Sequence, residues 1–162
     1  MNAEANDRFI KRDRMRYAKN KLSSRLALLA IAFNVLFFVS IYKSDVGTYY
    51  YTMTIGASVV YNLVFMLIAF LCSEGVKNYK CSYSFVLLAL SALQIVRIFI
   101  IPGDAHQTLV AGSLVMEDGQ YTRVVVYLCA SAFCLFASAV VNFIKSFALT
   151  NHLKKLEAGV RG

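Results

Sequence analysis

The stretch VVVYLCASAFCLFASAVVNFI, residues 124–144, lies between Arg123 and Lys145 and has no charged residue in 21 positions. A helix needs about 20 residues to cross the roughly 30 Å hydrocarbon layer of a bilayer. The stretch does not alternate apolar with polar residues, as a half-buried strand would. It therefore predicts a transmembrane helix, and it sets the fold class for the whole chain.

Three further apolar blocks precede this one, at about 26–42, 51–72 and 81–101. The chain is 59% hydrophobic and only 16% charged, whereas soluble domains carry about 25% charged residues. Backbone groups in lipid must pair within their own segment, which favours helices. The sequence thus predicts an all-α integral membrane bundle of four transmembrane helices, the fourth spanning about 123–145.

The segments outside the blocks complete the predicted organisation. Residues 1–25 form a basic N-terminal arm, 26–149 the transmembrane domain, and 150–162 a tail. A cleaved signal peptide is a poor alternative for the first block, because its basic lead is long and its apolar run exceeds the usual 7–15 residues. The first block is therefore interpreted as a permanent span.

The distribution of basic residues predicts the orientation. With the N-terminus inside, the arm, the 73–80 connection and the tail place fourteen Lys or Arg residues on the inner side, against three elsewhere. Cytoplasmic segments of membrane proteins carry this excess of positive charge. Both termini are expected to be cytoplasmic.

Arg97 is the one charged residue within the third apolar block. The dipeptide Pro102-Gly103 predicts the end of that helix, so Arg97 would lie roughly 7 Å below the outer end. An arginine at that depth reaches the headgroups by snorkelling or pairs with a carboxylate on the same side. The candidate carboxylates are Asp45, Asp104, Glu117 and Asp118. Contact with a ligand or ion is the alternative, and Gln94 lies one turn below.

Asn34 and Asn62 lie near the middle of the first and second spans. Antiparallel neighbours bring them to one depth, where an amide–amide hydrogen bond contributes about 1 kcal/mol to helix association. In the fourth span Asn142 shares a stripe with Ser131, Ser138 and Lys145. These polar residues are interpreted as interhelical contacts, with a polar path through the membrane as the alternative, and Lys145 as an anchor at the interface.

The sequence also predicts a packing face in the fourth block and a structured connection before it. The small residues of 130–139 indicate a close packing face, either within the four-helix unit or against another subunit. The connection from Pro102 to Tyr121 is the longest on the outer side. It is expected to form a hairpin or an interfacial segment, with a turn signal at Asp118-Gly119.

Reactive chemistry is not apparent in the sequence. There is no C-x-x-C, H-E-x-x-H, P-loop or G-x-S-x-G motif. The two histidines, His106 and His152, are expected on opposite sides of the membrane, so they cannot share a metal. The apolar cores contain no Asp or Glu, which weakens a proton-coupled transporter. No catalytic, cofactor-binding or metal-binding residue is predicted.

The basic arm is the strongest candidate for contact with other molecules. Its juxtamembrane charges, worth about 1 kcal/mol each against anionic lipid, predict binding to the cytoplasmic leaflet or to a cytoplasmic protein. These charges are Arg8, Lys11, Arg12, Arg14 and Arg16. A nucleic-acid module is not recognisable, so nucleic acid is not an expected partner.

These features together favour a non-catalytic subunit or scaffold of a larger membrane complex, with a protein partner or a second copy of the chain. The alternative is a small oligomeric channel or transporter that uses Asn34 and Asn62, or the region of Arg97, to line its path.

Overall fold

Four helices follow one another in up-down-up-down order in the computed structural model, which describes residues 19–41, 52–110 and 112–160. Their bounds are Lys21–Ile41 for α1, Thr52–Lys77 for α2, Ser82–Gln107 for α3 and Asp118–Val160 for α4. Each is long and apolar enough to cross a membrane. The all-α class and the four long apolar helices are as the sequence predicts.

The two ends of the bundle differ in character. One end has Lys21, Lys77 and Lys80 at or beside helix termini, with Lys145 of α4 at the same level, and is called the basic end. The opposite end has a two-stranded hairpin between α3 and α4 and is called the hairpin end. In this hairpin β1 (Leu109–Val110) pairs antiparallel with β2 (Ser113–Leu114). Gly112 supplies the positive φ of 85° that the turn requires.

The turn that the sequence predicts at Asp118-Gly119 is wrong. These residues begin α4 instead, with Asp118 in its first turn. An acidic residue is favourable there because the N-terminus of a helix carries partial positive charge. The dipeptide is compatible with a turn and with a helix start, and the turn of the hairpin falls earlier in the chain.

Helix α4 is the central packing element. It packs against α1 and α3 along their lengths, α2 packs against α1, and the seam between α2 and α3 has the least contact. Small side chains permit the close approach: Ala27, Ala30, Ala132 and Ala139 are all buried. The small-residue stretch of α4 therefore packs within the four-helix unit.

The outward surface of the bundle is apolar. Phe99, Phe133 and Ile144 are 75%, 70% and 65% exposed, and Val60 and Leu67 on α2 are nearly as open. A soluble monomer rarely exposes contiguous apolar patches beyond a few hundred Å². This surface is suited to contact with hydrocarbon or with another apolar helix.

Helix α3 does not end at Pro102. It continues to Gln107, six residues past the predicted end at 101, with Pro102 buried inside it. A proline within a helix loses one backbone hydrogen bond and crowds the carbonyl four residues earlier. Membrane helices tolerate this because neighbouring groups satisfy the freed carbonyl. Arg97 consequently lies ten residues before the end of α3, about 15 Å along its axis rather than about 7 Å.

Helix α4 also extends beyond the predicted span. It has 43 residues, which corresponds to about 64 Å at 1.5 Å per residue, twice the roughly 30 Å of hydrocarbon. It includes residues 150–160, which the sequence assigns to a separate tail. The last turns of α4 therefore project beyond the basic end as a continuation of the same helix.

A tight corner at the basic end connects α2 to α3. The amides of Asn78 and Lys80 both donate to the carbonyl of Gly75, and Tyr79 adopts a left-handed φ of 57°. A side chain on Gly75 would overlap the ring of Tyr83 at the start of α3. Glycine at position 75 therefore allows the two helices to meet closely at this end.

This corner predicts a difference between two glycines of α2. Gly75→Ala should lower the free energy of unfolding by about 1–3 kcal/mol, because the methyl group forces the Tyr83 ring to move. Gly56→Ala is the matched control: nothing lies within 4 Å of its added methyl, and alanine favours a helix by up to about 1 kcal/mol. Unfolding curves of both variants in detergent measure this. Equal stability of the two variants would contradict the close approach at Gly75.

Candidate functional site

Arg97 lies inside the bundle, where it joins three helices. Its Nη1 donates to Oδ1 of Asn62 on α2 at 2.8 Å and to Oδ1 of Asn34 on α1 at 3.2 Å. Asn34 Nδ2 in turn donates to Asn62 Oδ1 at 3.2 Å. The equal depth of the two asparagines, expected from the sequence, thus brings them within hydrogen-bond distance.

Gln94 extends this arrangement to the fourth helix. Its Nε2 donates to Asn34 Oδ1 at 3.1 Å and to Ser131 Oγ on α4 at 3.2 Å. Ser131 Oγ donates to the carbonyl of Ala30 on α1 at 3.0 Å. The set Asn34, Asn62, Gln94, Arg97 and Ser131 is called the mid-bundle layer. Each of its five side chains is at most 6% exposed.

The predicted snorkelling position of Arg97 is wrong. Its guanidinium points into the bundle and lies over two aromatic rings, with Cζ 4.2 Å from the centroid of Phe37 and 4.9 Å from that of Tyr61. Such contacts contribute about 2 kcal/mol when desolvated. Among the predicted carboxylate partners, Asp118 lies beside His106 at 3.8 Å, and Asp45 is outside the described residues. The error follows from the extra helical length beyond Pro102.

The asparagine amides do not depend on Arg97 for their hydrogen bonds. Asn34 Oδ1 also accepts from Gln94, and Asn62 Oδ1 also accepts from Asn34. Asn62 Nδ2 donates to the carbonyl of Ser58 at 2.9 Å. Burial of a guanidinium has a desolvation cost of several kcal/mol. The hydrogen bonds between the amides of the layer do not require the guanidinium.

A second polar cluster lies near the basic end. Asn142 Nδ2 donates to Ser84 Oγ at 2.7 Å, and Asn20 Nδ2 donates to Asn142 Oδ1 at 3.2 Å. Lys145 Nζ donates to Asn20 Oδ1 at 3.2 Å. These four side chains are called the basic-end layer. Lys145, interpreted from sequence as an interface anchor, is thus also bonded to the start of α1.

Sequence reasoning missed two members of this cluster. Asn20 was assigned to the basic arm, and Ser84 was not singled out. A signal was present for Asn20, because asparagine is a preferred residue immediately before a helix. Its Oδ1 does accept from the amide of Ser23, at 3.4 Å.

Serine pairs tie the helices together near the basic end. Ser23 and Ser138 place their hydroxyl oxygens 2.9 Å apart between α1 and α4. Ser24 and Ser73 do the same at 2.8 Å between α1 and α2. All four are buried. The polar stripe that the sequence shows on α4 therefore faces partner helices within the bundle at Ser131, Ser138 and Asn142.

Reactive groups are not assembled in the part of the chain that the structure describes. Within residues 19–41, 52–110 and 112–160, no three His, Cys, Asp or Glu side chains are close enough to hold a metal ion. His106 instead stacks on Tyr121 with a centroid distance of 4.3 Å. The arm residues Arg8, Lys11, Arg12, Arg14 and Arg16 lie outside the described residues.

Comparison with known proteins gives no match: no family model, curated protein or solved structure resembles the chain.

The hydrogen-bond balance of the mid-bundle layer predicts opposite results for two substitutions. Arg97→Met removes the buried charge and leaves the amides bonded, so its stability should lie within about 1 kcal/mol of the wild type or above it. Asn34→Leu removes three interhelical bonds and should destabilise the bundle by about 1–3 kcal/mol. Thermal or denaturant unfolding in maltoside micelles measures both.

Arg97→Lys provides the control for charge. It keeps the cation but loses the planar group that lies over Phe37, so it should unfold at a lower temperature than Arg97→Met. A methionine variant that is as unstable as Asn34→Leu would show that Arg97 is required for the fold itself.

Proposed function

We propose that the four helices span a membrane with the basic end in the cytoplasm. The apolar outward surface and the length of each helix support insertion. The fourteen basic residues that the sequence assigns to the arm, the short connection and the tail support the orientation. Both termini would then be cytoplasmic, and the hairpin would lie on the opposite side.

In this membrane the protein serves as a non-catalytic subunit or scaffold of a larger complex. The observation that supports this role best is the use of the buried polar side chains. The mid-bundle layer and the basic-end layer bond helix to helix, which fixes the register of the bundle. The apolar outward surface and the basic arm then remain for contact with partners and with anionic lipid.

The alternative of a small oligomeric channel or transporter has less support from this geometry. A polar path requires side chains that water can reach, whereas Asn34 and Asn62 are 0% and 1% exposed and bonded to each other. Ion or solute flux in proteoliposomes separates the two proposals. A scaffold gives no flux above that of empty liposomes at any protein density.

Cysteine labelling tests the proposed topology. In a background with the four native cysteines replaced by alanine, Glu117→Cys should react with a membrane-impermeant maleimide on intact cells. Asn78→Cys, which is also at an exposed position but at the basic end, should react only after permeabilisation. The reverse pattern, or labelling of both positions in intact cells, would contradict the orientation.

The arm is tested by charge removal with a matched control. Replacement of Arg8, Lys11, Arg12, Arg14 and Arg16 by glutamine should leave the labelling pattern unchanged, because Lys19, Lys21 and Arg25 still direct the first span. A partner that co-purifies stoichiometrically with the wild type in mild detergent should be lost. Lys154→Gln with Lys155→Gln, on the same side, should retain it. Loss of the partner from both variants, or from neither, would contradict docking through the arm.

A further inference from the structure

The last turns of α4, which project beyond the basic end, have a packing side. Leu149, His152 and Leu153 are partly buried, whereas Asn151 and Lys154 are exposed. Residues three or four positions apart share one side of a helix, so the three partly buried residues form one stripe. This stripe is called the tail face. An apolar stripe on a surface helix normally faces another part of the protein.

The tail face continues the side of α4 that contacts the start of α1. Asn142 accepts a hydrogen bond from Asn20, and Lys145 donates one to the same residue. From Lys145, steps of four and then three residues lead to Leu149 and His152. The side that α4 turns toward the beginning of α1 therefore extends past the end of the bundle.

The tail face reaches well beyond the corner between α2 and α3. Ser146 Oγ donates to the carbonyl of Tyr79 in that corner at 3.1 Å. Leu153 lies seven residues later, about 10 Å further along the axis of α4. The helix continues to Val160. The occupant of the tail face must therefore be a segment that also lies beyond the basic end.

The N-terminal arm leaves the bundle beside this face. Asn20, immediately before α1, is bonded to Asn142 and Lys145 through its side chain, and its amide donates to the carbonyl of Lys77 at 3.0 Å. The 18 residues before Lys19 would extend about 27 Å as a helix, and residues 146–160 of α4 extend about 22 Å. The arm therefore begins at the right place and is long enough to cover the tail face.

The composition of the arm also suits this face. As a helix, the arm would place Phe9, Ile10 and Tyr17 within an arc of about 100°. Leu149 and Leu153 offer apolar surface to match. Three basic residues would fall on the opposite side of the arm: Arg8, Lys11 and Arg12. Packing through the apolar side would therefore leave these charges facing outward.

The covalent connection favours the arm over a second copy of the chain. A contact between linked segments is intramolecular, with an effective concentration on the order of millimolar. A second copy would compete for the tail face only at its own, lower concentration. The arm is therefore the occupant that the position of Asn20 supports best.

We propose that the N-terminal arm packs antiparallel along the tail face of α4 and extends the seam between α1 and α4 beyond the bundle. Phe9 is eleven residues before Asn20, and Leu153 is eleven residues after Asn142. Because those two asparagines are bonded, an equal rise per residue brings Phe9 level with Leu153. The packing holds the basic side of the arm in one orientation. The use of that side for anionic lipid or a cytoplasmic partner rests on the proposed function, whereas the packing itself does not.

Disulfide formation in the full-length protein in phosphatidylcholine vesicles tests the packing. In the background without native cysteines, Phe9→Cys with Leu153→Cys should oxidise to a link within one chain, detected as a joined peptide from the monomer band. Phe9→Cys with Asn151→Cys is the matched control, because Asn151 lies near the same level on the other side of α4. It should link several-fold less. Ile10→Cys with Leu153→Cys covers the adjacent register.

The outcomes separate this proposal from the others. Links between two chains would assign the tail face to a second copy and overturn the proposal. Equal yields in the test and control pairs, or no link from either position of the arm to Leu153→Cys, would also overturn it. The link requires no partner protein, so its formation supports the packing even where no cytoplasmic partner co-purifies.

Trypsin cleavage of the arm in phosphatidylcholine nanodiscs gives an independent measurement. Leu153→Asp places a charge on the tail face and should accelerate cleavage within the arm several-fold, because the undocked arm is the form that the protease cuts. Asn151→Asp places the same charge on the exposed side and should be cut at the wild-type rate. Both positions lie beyond the basic end, so neither change affects the interior of the bundle. Equal cleavage rates for the wild type and both variants would overturn the proposal.

Discussion

The hydrogen bonds between Asn34, Asn62 and Gln94 are the constraint on which the bundle depends. In a bilayer, apolar side chains gain nothing by leaving lipid for another helix, so polar contacts and close packing determine which faces meet. The mid-bundle layer supplies polar contacts from all four helices. Buried alanine and serine residues supply the close packing. Rotation of any one helix would leave amide groups without partners in an apolar interior.

Helix α1 is bonded to its neighbours at a second depth as well, and this fixes its position more firmly than the mid-bundle layer alone. Asn20 and Asn34 are 14 residues apart, which is about 21 Å along α1. The basic-end layer and the mid-bundle layer thus hold α1 at two depths, and the Ser23 and Ser24 contacts lie between them. Helices α2 and α3 are held at the Gly75 corner and through Arg97 and Asn62. A cleft bordered by Ala57, Tyr61, Val96 and Ile100 opens along this less restrained seam.

The sequence predicts the larger features because they depend on length and apolar composition. Four blocks of about 20 apolar residues specify four helices, and equal depth correctly pairs Asn34 with Asn62. The end of α3 could not be predicted in the same way, because a proline usually stops a helix in water but is tolerated where neighbouring groups satisfy the backbone. That single difference moved Arg97 from the predicted interface into the interior.

Other features depend on how one helix is rotated relative to another, and the sequence alone does not determine this rotation. The partnership of Asn20 with Asn142 joins positions 122 residues apart, and the stripe on α4 shows only that a polar face exists. Gln94 was noted merely as a neighbour of Arg97, although it links α3 to both α1 and α4. The cleft between α2 and α3 arises because these helices diverge, and this divergence has no local pattern in the sequence.

A double-mutant cycle between Asn34 and Asn62 tests most directly whether this interhelical hydrogen bonding holds the bundle. The cycle uses Asn34→Leu and Asn62→Leu in the Arg97→Met background, so that no buried cation loses its acceptors. Unfolding free energies of the four proteins in one detergent should give a coupling energy of about 0.6–1.7 kcal/mol, the range of hydrogen bonds between membrane helices. Additive effects, with coupling below about 0.3 kcal/mol, would show that the two amides do not interact and would contradict the account.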